Sequence, residues 1–143
     1  MAVPLVECVV ADWHAERAAL ERIRRAVFIE EQQIAEKDEW DAEDPGSVHV
    51  LARLNRDPVG TGRLNPAGKI GRIAVLPGLR GQGIGRQILL RLLEEARRLG
   101  IREPYLHAQV QAVSFYEKLG FSREGDAFDE AGIPHVRMSL VLE

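Results

Sequence analysis

The sequence has few of the residues that define disulfide-rich, metal-binding or membrane-spanning proteins. Cys8 is its only cysteine, which excludes an intramolecular disulfide and a cysteine-based metal site. The longest apolar-rich run, Ile84 to Leu93, is interrupted by glycine, glutamine and arginine. It therefore falls short of the roughly 18 uninterrupted apolar residues that a membrane helix needs. Residues 1–5 lack a basic region and a long apolar core, so we expect no secretory signal and a cytoplasmic protein without membrane association.

The charge of the chain is close to balanced, with a net value of -3. Such a balance gives no reason to expect nucleic acid or an anionic membrane as a partner. The acidic residues are unevenly placed, because residues 30–44 contain eight carboxylates and a single lysine. Two interpretations of this segment stay open: a solvated acidic loop, or a rim that attracts a cationic substrate.

Length and composition predict one globular domain over residues 1–143, since 45% of the residues are apolar and 29% charged. Hydrophobic periodicity then indicates the order of the elements. Strands are predicted at 5–10, 48–54, 59–64, 69–76 and 105–110, with two more strands within 121–142. Helices are predicted over about 12–33, 85–99 and 114–119, and residues 36–46 are predicted to form a loop. This order is typical of a mixed α/β sheet with helices on its faces.

The most informative stretch is the glycine-rich turn between the strand that ends near Val75 and the helix that begins near Gly85. Backbone N–H groups of such a turn converge on an anion at the positive end of the helix dipole. A P-loop is excluded because Ile84 follows Gly83 where lysine is required. The spacing of Gly81, Gly83 and Gly85 also departs from the dinucleotide fingerprint. A glycine-rich connection without a ligand remains the alternative.

Two motifs identify a family resemblance. Residues 80–85, with the sequence RGQGIG, resemble the R/Q-x-x-G-x-G/A pyrophosphate loop of the GNAT superfamily of acyl-CoA-dependent N-acyltransferases. Residues 114–121, SFYEKLGF, are similar to motif B of the same family, at the expected distance along the chain. Residues 25–32, RAVFIEEQ, the acidic residues after them and residues 132–135, GIPH, resemble the small ElaA-like branch.

The resemblance implies a fold and a co-substrate. It implies a sheet of about six or seven strands, about four helices, and a V-shaped split between parallel strands near 70–76 and 105–110. Acetyl-CoA would lie in that split. The implied cofactor-binding residues are Ile73, Ala74, Val75, Arg80, Gly81, Gln82, Gly83, Ile84, Gly85, Arg86, Gln109, Ser114 and Tyr116. Gln109 departs from the asparagine that the family often has, although its amide makes the same kinds of hydrogen bond.

The same resemblance implies roles in catalysis. Tyr116 matches the family's general acid, and a phenol with a pKa near 10 stays protonated at neutral pH. The motif strand carries no carboxylate, so the general base must come from elsewhere or be a chain of waters; among side chains we expect Glu31 first and His135 second. The alternative is that Glu31 binds substrate and His135 is structural. Residues 14, 49 and 107, also histidines, are expected on helix or strand surfaces, and no spacing indicates a metal site.

Together these observations predict an N-acetyltransferase that acts on a small-molecule or protein amine, with a positively charged acceptor favoured. The expected substrate-binding residues are Phe28, Glu31, Gln32, Asp38 and Asp41. Many relatives dimerise, so a homodimer is open. Two other classes of function also stay open: a non-catalytic acyl-CoA sensor, and an interaction protein whose glycine-rich loop holds no ligand.

Overall fold

The computed structural model describes residues 6–143. Leu5, which the sequence places at the start of the first strand, and the segment examined for a signal lie outside the described residues. The strands are β1 (Val6–Ala11), β2 (Val48–Leu54), β3 (Asp57–Leu64), β4 (Lys69–Val75), β5 (Tyr105–Gln109), β6 (Ser122–Glu130) and β7 (Ile133–Ser139). The α-helices are α1 (Trp13–Arg24), α2 (Glu36–Glu39), α3 (Ile84–Arg98) and α4 (Val113–Glu117).

The strands form one mixed sheet in the order β1-β2-β3-β4-β5-β7-β6. Neighbouring strands are antiparallel except β4 and β5, which are parallel. Over residues 6–143, the architecture of seven strands and four α-helices confirms the fold expected from the sequence.

The parallel pair β4–β5 separates soon after it begins. Within residues 6–143, the two strands pair at two positions only, Lys69 with Tyr105 and Ile70 with Leu106. On its other side, the pairing of β4 with β3 shifts between Thr61 and Arg63, which is a bulge in the ladder. Arg72 lies at this bulge with a φ of 53°. From Gly71 onward the β5-facing edge of β4 therefore has no strand partner among the described residues, and the expected V-shaped split is present.

The core lies on both faces of the sheet. Helix α3 covers one face through Ile88, Leu89 and Leu92, which are completely buried. It approaches closely because Gly60 and Gly62 lack side chains; a Cβ there would lie 2.8 Å and 2.7 Å from Ile88 atoms. Helix α1 covers the other face with a second cluster that includes Leu20 and Ile23. Burial on two faces fixes the middle of the sheet, which carries the split.

The acidic segment differs from the loop that the sequence predicts. It contains α2 and a 3₁₀ turn at Asp44–Gly46 instead of a continuous loop. Glu39 and Asp44 are 2% and 3% exposed, and Arg24 bonds both, at 2.7 Å and 2.8 Å. Burying carboxylates is costly unless cations pair with them. Arg63 supplies a second pairing, at 2.9 Å from Asp44, so much of the acidic charge is already neutralised inside the protein.

Two other local expectations need correction. The helix expected to reach residue 33 is α-helical only to Arg24 and continues as a π-helix over Arg25–Glu31. His49 is 1% exposed instead of lying on a surface, because its ring stacks on Trp13 at 4.8 Å and its Nε2–H bonds the Asp44 carbonyl at 2.8 Å. The π-helix and the burial of His49 both depend on neighbours distant in the chain, and hydrophobic periodicity carries no information about such neighbours.

Candidate functional site

The split between β4 and β5 opens into a cleft of about 440 Å³. Eight residues singled out from the sequence line it: Phe28, Gln32, Asp38, Asp41, Ile73, Gln109, Tyr116 and His135. Seven polar or charged lining residues were not singled out: Glu39, Glu43, Arg63, Lys69, Arg72, His107 and Glu130. The structure therefore gathers segments from the acidic region, the split strands, motif B and the last hairpin around one space.

Tyr116 reaches this cleft from α4. Its ring is held edge-on by Phe115 at 5.1 Å and by Phe121 at 5.9 Å between ring centres. Burial raises the pKa of Tyr116 to about 12. Its hydroxyl bonds no other group within residues 6–143. The phenol is thus a protonated donor at neutral pH without a competing partner in the described part of the chain.

The glycine-rich turn before α3 has the geometry of an anion site. Gly81 and Gly83 have φ values of 79° and 84°, which turn successive N–H groups toward one side. Over the described part of the chain, no protein acceptor bonds the six backbone N–H groups of residues 81–86. Helix α3 has 15 residues, so its dipole adds to the attraction for an anion. These features fit the pyrophosphate of a coenzyme A.

The β4 edge fits the rest of that molecule. The side of β4 that faces β5 has no described strand partner from Gly71 to Val75, and this stretch runs toward the glycine-rich turn. Its backbone can bond an amide-bearing chain as an added strand does. Ile73 lines the cleft, whereas Ala74 is buried in the second core cluster. Arg86 and Ser114 are exposed, and neither side chain bonds another described residue.

Glu31 lies beside the glycine-rich turn and is absent from the cleft lining. Arg80 donates to both of its carboxylate oxygens at 2.6 Å, and Arg80 Nε donates to the Val75 carbonyl at 2.9 Å. Hydrogen bonding by Arg80 lowers the pKa of Glu31 below its usual value. A carboxylate held in this way is a weaker proton acceptor.

The end of the π-helix brings Gln32 against β5. Gln109 Nε2 donates to Gln32 Oε1 at 2.9 Å, across 77 positions of sequence. Both side chains line the cleft; the sequence singled out Gln32 as a substrate residue and Gln109 as a cofactor residue. A π-helical turn is rare in proteins and frequent at functional sites. Here it sets the direction of Gln32 without any signal in the hydrophobic pattern.

The opposite wall of the cleft holds two histidines around one carboxylate. Glu130 Oε1 is 2.9 Å from His107 Nδ1, and Glu130 Oε2 is 3.6 Å from His135 Nε2. His107 was expected on a surface, and it lines the cleft instead because it is two residues before Gln109 on the same face of β5. That spacing was the available signal for His107. No signal in the sequence pointed to Glu130, because it is the β6–β7 hairpin that brings this residue to the cleft.

The cleft carries charges of both signs, with five carboxylates and three Lys or Arg side chains in its lining. Asp41 is bonded to Arg63 at 2.8 Å and 3.0 Å. The Asp38 carboxylate, in contrast, has no cation partner in the described structure. Within residues 6–143, no group of acidic, histidine or cysteine side chains is arranged to hold a metal ion. No helix in that range is long and apolar enough to span a bilayer.

Comparison with known proteins agrees with this geometry. The model of the acetyltransferase (GNAT) domain family matches residues 12–142. The Bacillus subtilis protein YyaT is 42% identical over 124 residues, covering 82% of this chain and 84% of YyaT. Escherichia coli ElaA is 32% identical over 129 residues, covering 85% of this chain and 84% of ElaA.

Solved structures are similar over almost the whole chain. The crystal structure of Escherichia coli ElaA superposes with a TM-score of 0.85 at 28% identity, covering 95% of this chain and 99% of that one. An acyl-CoA N-acyltransferase from Pseudomonas aeruginosa gives 0.82 at 29% identity, covering 97% and 100%. The chain belongs to the GNAT acetyltransferase family, with ElaA among its relatives.

Proposed function

We propose that this protein is an N-acetyltransferase, with one catalytic domain over residues 1–143, that moves the acetyl group of acetyl-CoA directly to an amine. The observation that supports this most is the joint position of three features. Within residues 6–143, the β4 edge without a strand partner and the Tyr116 side chain line one cleft, and β4 leads from that cleft to the turn whose N–H groups at residues 81–86 bond no protein acceptor. Family membership supplies acyl-CoA as the class of co-substrate.

The glycine-rich turn and β4 hold the co-substrate in this proposal. The N–H groups of residues 81–86 bind the pyrophosphate, and Arg80 and Arg86 add positive charge. The β4 backbone from Ile73 to Val75 bonds the amide-bearing arm, and Gln109 and Ser114 contribute side-chain contacts. Acetyl-CoA supplies a reactive thioester, so the protein has only to orient the two reactants and move protons.

Tyr116 donates its proton to the departing sulfur. Its pKa of about 12 keeps the phenol protonated across the physiological range, which is the state that a donor needs. The amine must lose a proton before it attacks. We assign that proton to the histidine side of the cleft, where His135 lies, in preference to Glu31, whose carboxylate is bonded to Arg80.

The acceptor side is formed by Phe28, Gln32, Asp38 and Asp41. Carboxylates outnumber cations in the lining, so a positively charged amine is favoured. Asp38, which has no described cation partner, is the side chain best placed to attract it. The acceptor is a small molecule or a protein amine.

A non-catalytic acyl-CoA sensor is the second candidate function. The observation in its favour is that β4 carries no carboxylate; Arg72 stands at its bulge. Both functions require binding of acyl-CoA, but only the acetyltransferase would transfer the acyl group to an amine. CoA at 100 times its Kd should stabilise the folded protein by about 2.7 kcal/mol in either case.

The substitution Tyr116→Phe tests the proposed function. It removes one hydroxyl and keeps the ring, so kcat should fall about 100-fold or more while CoA affinity stays near wild type. Thiol release across a panel of amines measures kcat, and calorimetry measures CoA affinity. Tyr105→Phe is the matched control, because it removes a hydroxyl outside the cleft lining and keeps the ring that lies beside His107.

Three outcomes separate the candidates. Loss of turnover only in Tyr116→Phe supports the acid role. Unchanged kcat with chemistry as the slow step leaves Tyr116 as a packing residue. Tight CoA binding by the wild type without turnover of any amine favours the sensor.

A further inference from the structure

The carboxylate of Glu130 fixes the tautomer of His107. Burial alone would raise the pKa of Glu130, but the hydrogen bond with His107 and the charge of Lys69 outweigh it, so the pKa lies below its usual value. An ionised carboxylate only accepts hydrogen bonds. His107 Nδ1, 2.9 Å away, must therefore carry the hydrogen, which leaves a lone pair on Nε2.

The position of His107 makes that lone pair useful. Leu106 and Ala108, on either side of it, are buried toward the core, so His107 and Gln109 share the opposite face of β5. His107 is 21% exposed and lines the same cleft as Tyr116. Its Nε2 bonds no described residue.

Granting the proposed function, on which this inference rests, we propose that His107 is the general base that deprotonates the amine, and that Glu130 is its positioning residue. A carboxylate on Nδ1 orients the ring and stabilises the imidazolium that forms when Nε2 takes a proton. Sequence reasoning placed neither residue in the reaction.

His135 is in a different situation, although it shares Glu130. Its Nδ1–H donates to the Ile133 carbonyl at 2.7 Å, so its lone pair is also on Nε2. That nitrogen lies 3.6 Å from Glu130 Oε2 and next to a negative charge instead of open space. His135 Nε2 is therefore directed at Glu130, whereas His107 Nε2 bonds no described residue and is open to substrate.

The protons balance with two groups of this chain. His107 Nε2 takes one proton from the ammonium form of the acceptor. The amine lone pair then forms the C–N bond to the acetyl carbon, and the C–S bond breaks with its electron pair on sulfur. Tyr116 Oη gives that sulfur its proton and regains one from the acylated nitrogen. His107 finally releases its proton to water, so one proton is produced for each ammonium acetylated.

The pH dependence of kcat/KM tests the assignment of His107. Groups that face the pair are Lys69 on β4, Tyr105 on β5 and His135 on β7. His107→Asn should remove the acidic limb of the profile and lower kcat/KM about 100-fold. Glu130→Gln should lower kcat while keeping that limb, because the base is still present but poorly oriented. CoA affinity, measured by calorimetry without an acceptor, should stay near wild type in both variants.

His14→Asn is the matched control, since His14 is an exposed histidine on α1 outside the cleft; its profile should equal that of the wild type. If His135→Asn removes the acidic limb and His107→Asn retains it, the assignment is overturned in favour of His135. If both His107→Asn and His135→Asn keep the wild-type profile, the assignment is overturned in favour of another group. Failure of the wild type to bind CoA, or to acetylate any amine, is a different result and refutes the proposed function instead.

Discussion

The chemistry of single residues such as Glu31, Tyr116 and His107 depends on the neighbours that the fold gives each side chain. Tyr116 and Gln109 were found through motifs and do line the cleft. Glu31 was found through its position in the chain, but its bond with Arg80 joins residues 49 positions apart. His107 was placed on a surface because a single histidine in a strand carries no sign of the carboxylate that meets it. Partners supplied by the fold decide what an ionisable group can do.

The Glu31–Arg80 pair predicts an effect on co-substrate affinity. Glu31→Gln removes the charge that holds Arg80, so the guanidinium becomes available to the pyrophosphate of CoA. We expect CoA to bind more tightly, by up to about fivefold, because an exposed ion pair is worth up to about 1 kcal/mol. Calorimetry at low ionic strength measures it. Glu36→Gln is the control, since Glu36 pairs with Arg25 outside the turn. Weaker binding in Glu31→Gln would instead show that Glu31 orders the turn.

At the scale of elements, local signals were sufficient for most helices and strands. The stripe of apolar residues and the glycines before it predicted α3 closely, and turn residues predicted the β2–β3 and β3–β4 hairpins. The π-helix and the bulge at Arg72 were missed. Both shift the register of an element relative to its neighbour, and such shifts are determined by packing rather than by local propensity.

The glycine-rich turn offers a pair of substitutions that separates cofactor binding from backbone strain. Gly78 and Gly83 have φ values of 88° and 84°, and no atom lies within 4 Å of a Cβ built on either. Alanine at each position should cost a similar 1–2 kcal/mol or so of stability through the left-handed backbone. Of the two, only Gly83 lies among the N–H groups that we propose bind the pyrophosphate. Gly83→Ala should therefore weaken CoA binding about tenfold or more, and Gly78→Ala should not. Denaturant unfolding and calorimetry measure the two effects; equal losses of CoA affinity would contradict the assignment of the turn.

At the scale of the whole molecule, the mixed sheet followed from the order of elements and its split from the family resemblance that the two motifs carry, whereas the charge distribution followed from neither. A run of carboxylates usually indicates a solvated surface, yet Glu39 and Asp44 are buried against arginines of α1 and β3. Arg24 also lies between Trp13 and Trp40, 5.8 Å and 5.1 Å from their ring centres. This network joins α1 and the acidic segment to the sheet beside the cleft. No pattern in the sequence predicts which of these charged residues form ion pairs.

The same network predicts how global stability depends on pH. Burial lowers the pKa of His49 below 6.5, and the bond to Asp44 only partly opposes this. His49 therefore becomes protonated near pH 6.5 in the unfolded chain but only at lower pH in the folded protein. His49 contributes stability that is present above pH 6.5 and is lost as pH falls through its folded pKa, by up to about 1.4 kcal/mol for each pH unit. Glu39 acts in the opposite sense and closer to pH 4.5, because burial raises its pKa more than its arginines lower it.

Thermal unfolding between pH 7.5 and 5.5 measures the contribution of His49. The wild type should lose melting temperature steadily below pH 6.5. His49→Gln keeps a donor for the Asp44 carbonyl but cannot titrate, so it should be less stable at pH 7.5, through loss of the stacking on Trp13, and lose less on acidification. His14→Asn replaces an exposed histidine of α1 and should follow the wild type at every pH. A His49→Gln curve parallel to that of the wild type would mean that another group takes up the proton in this pH range.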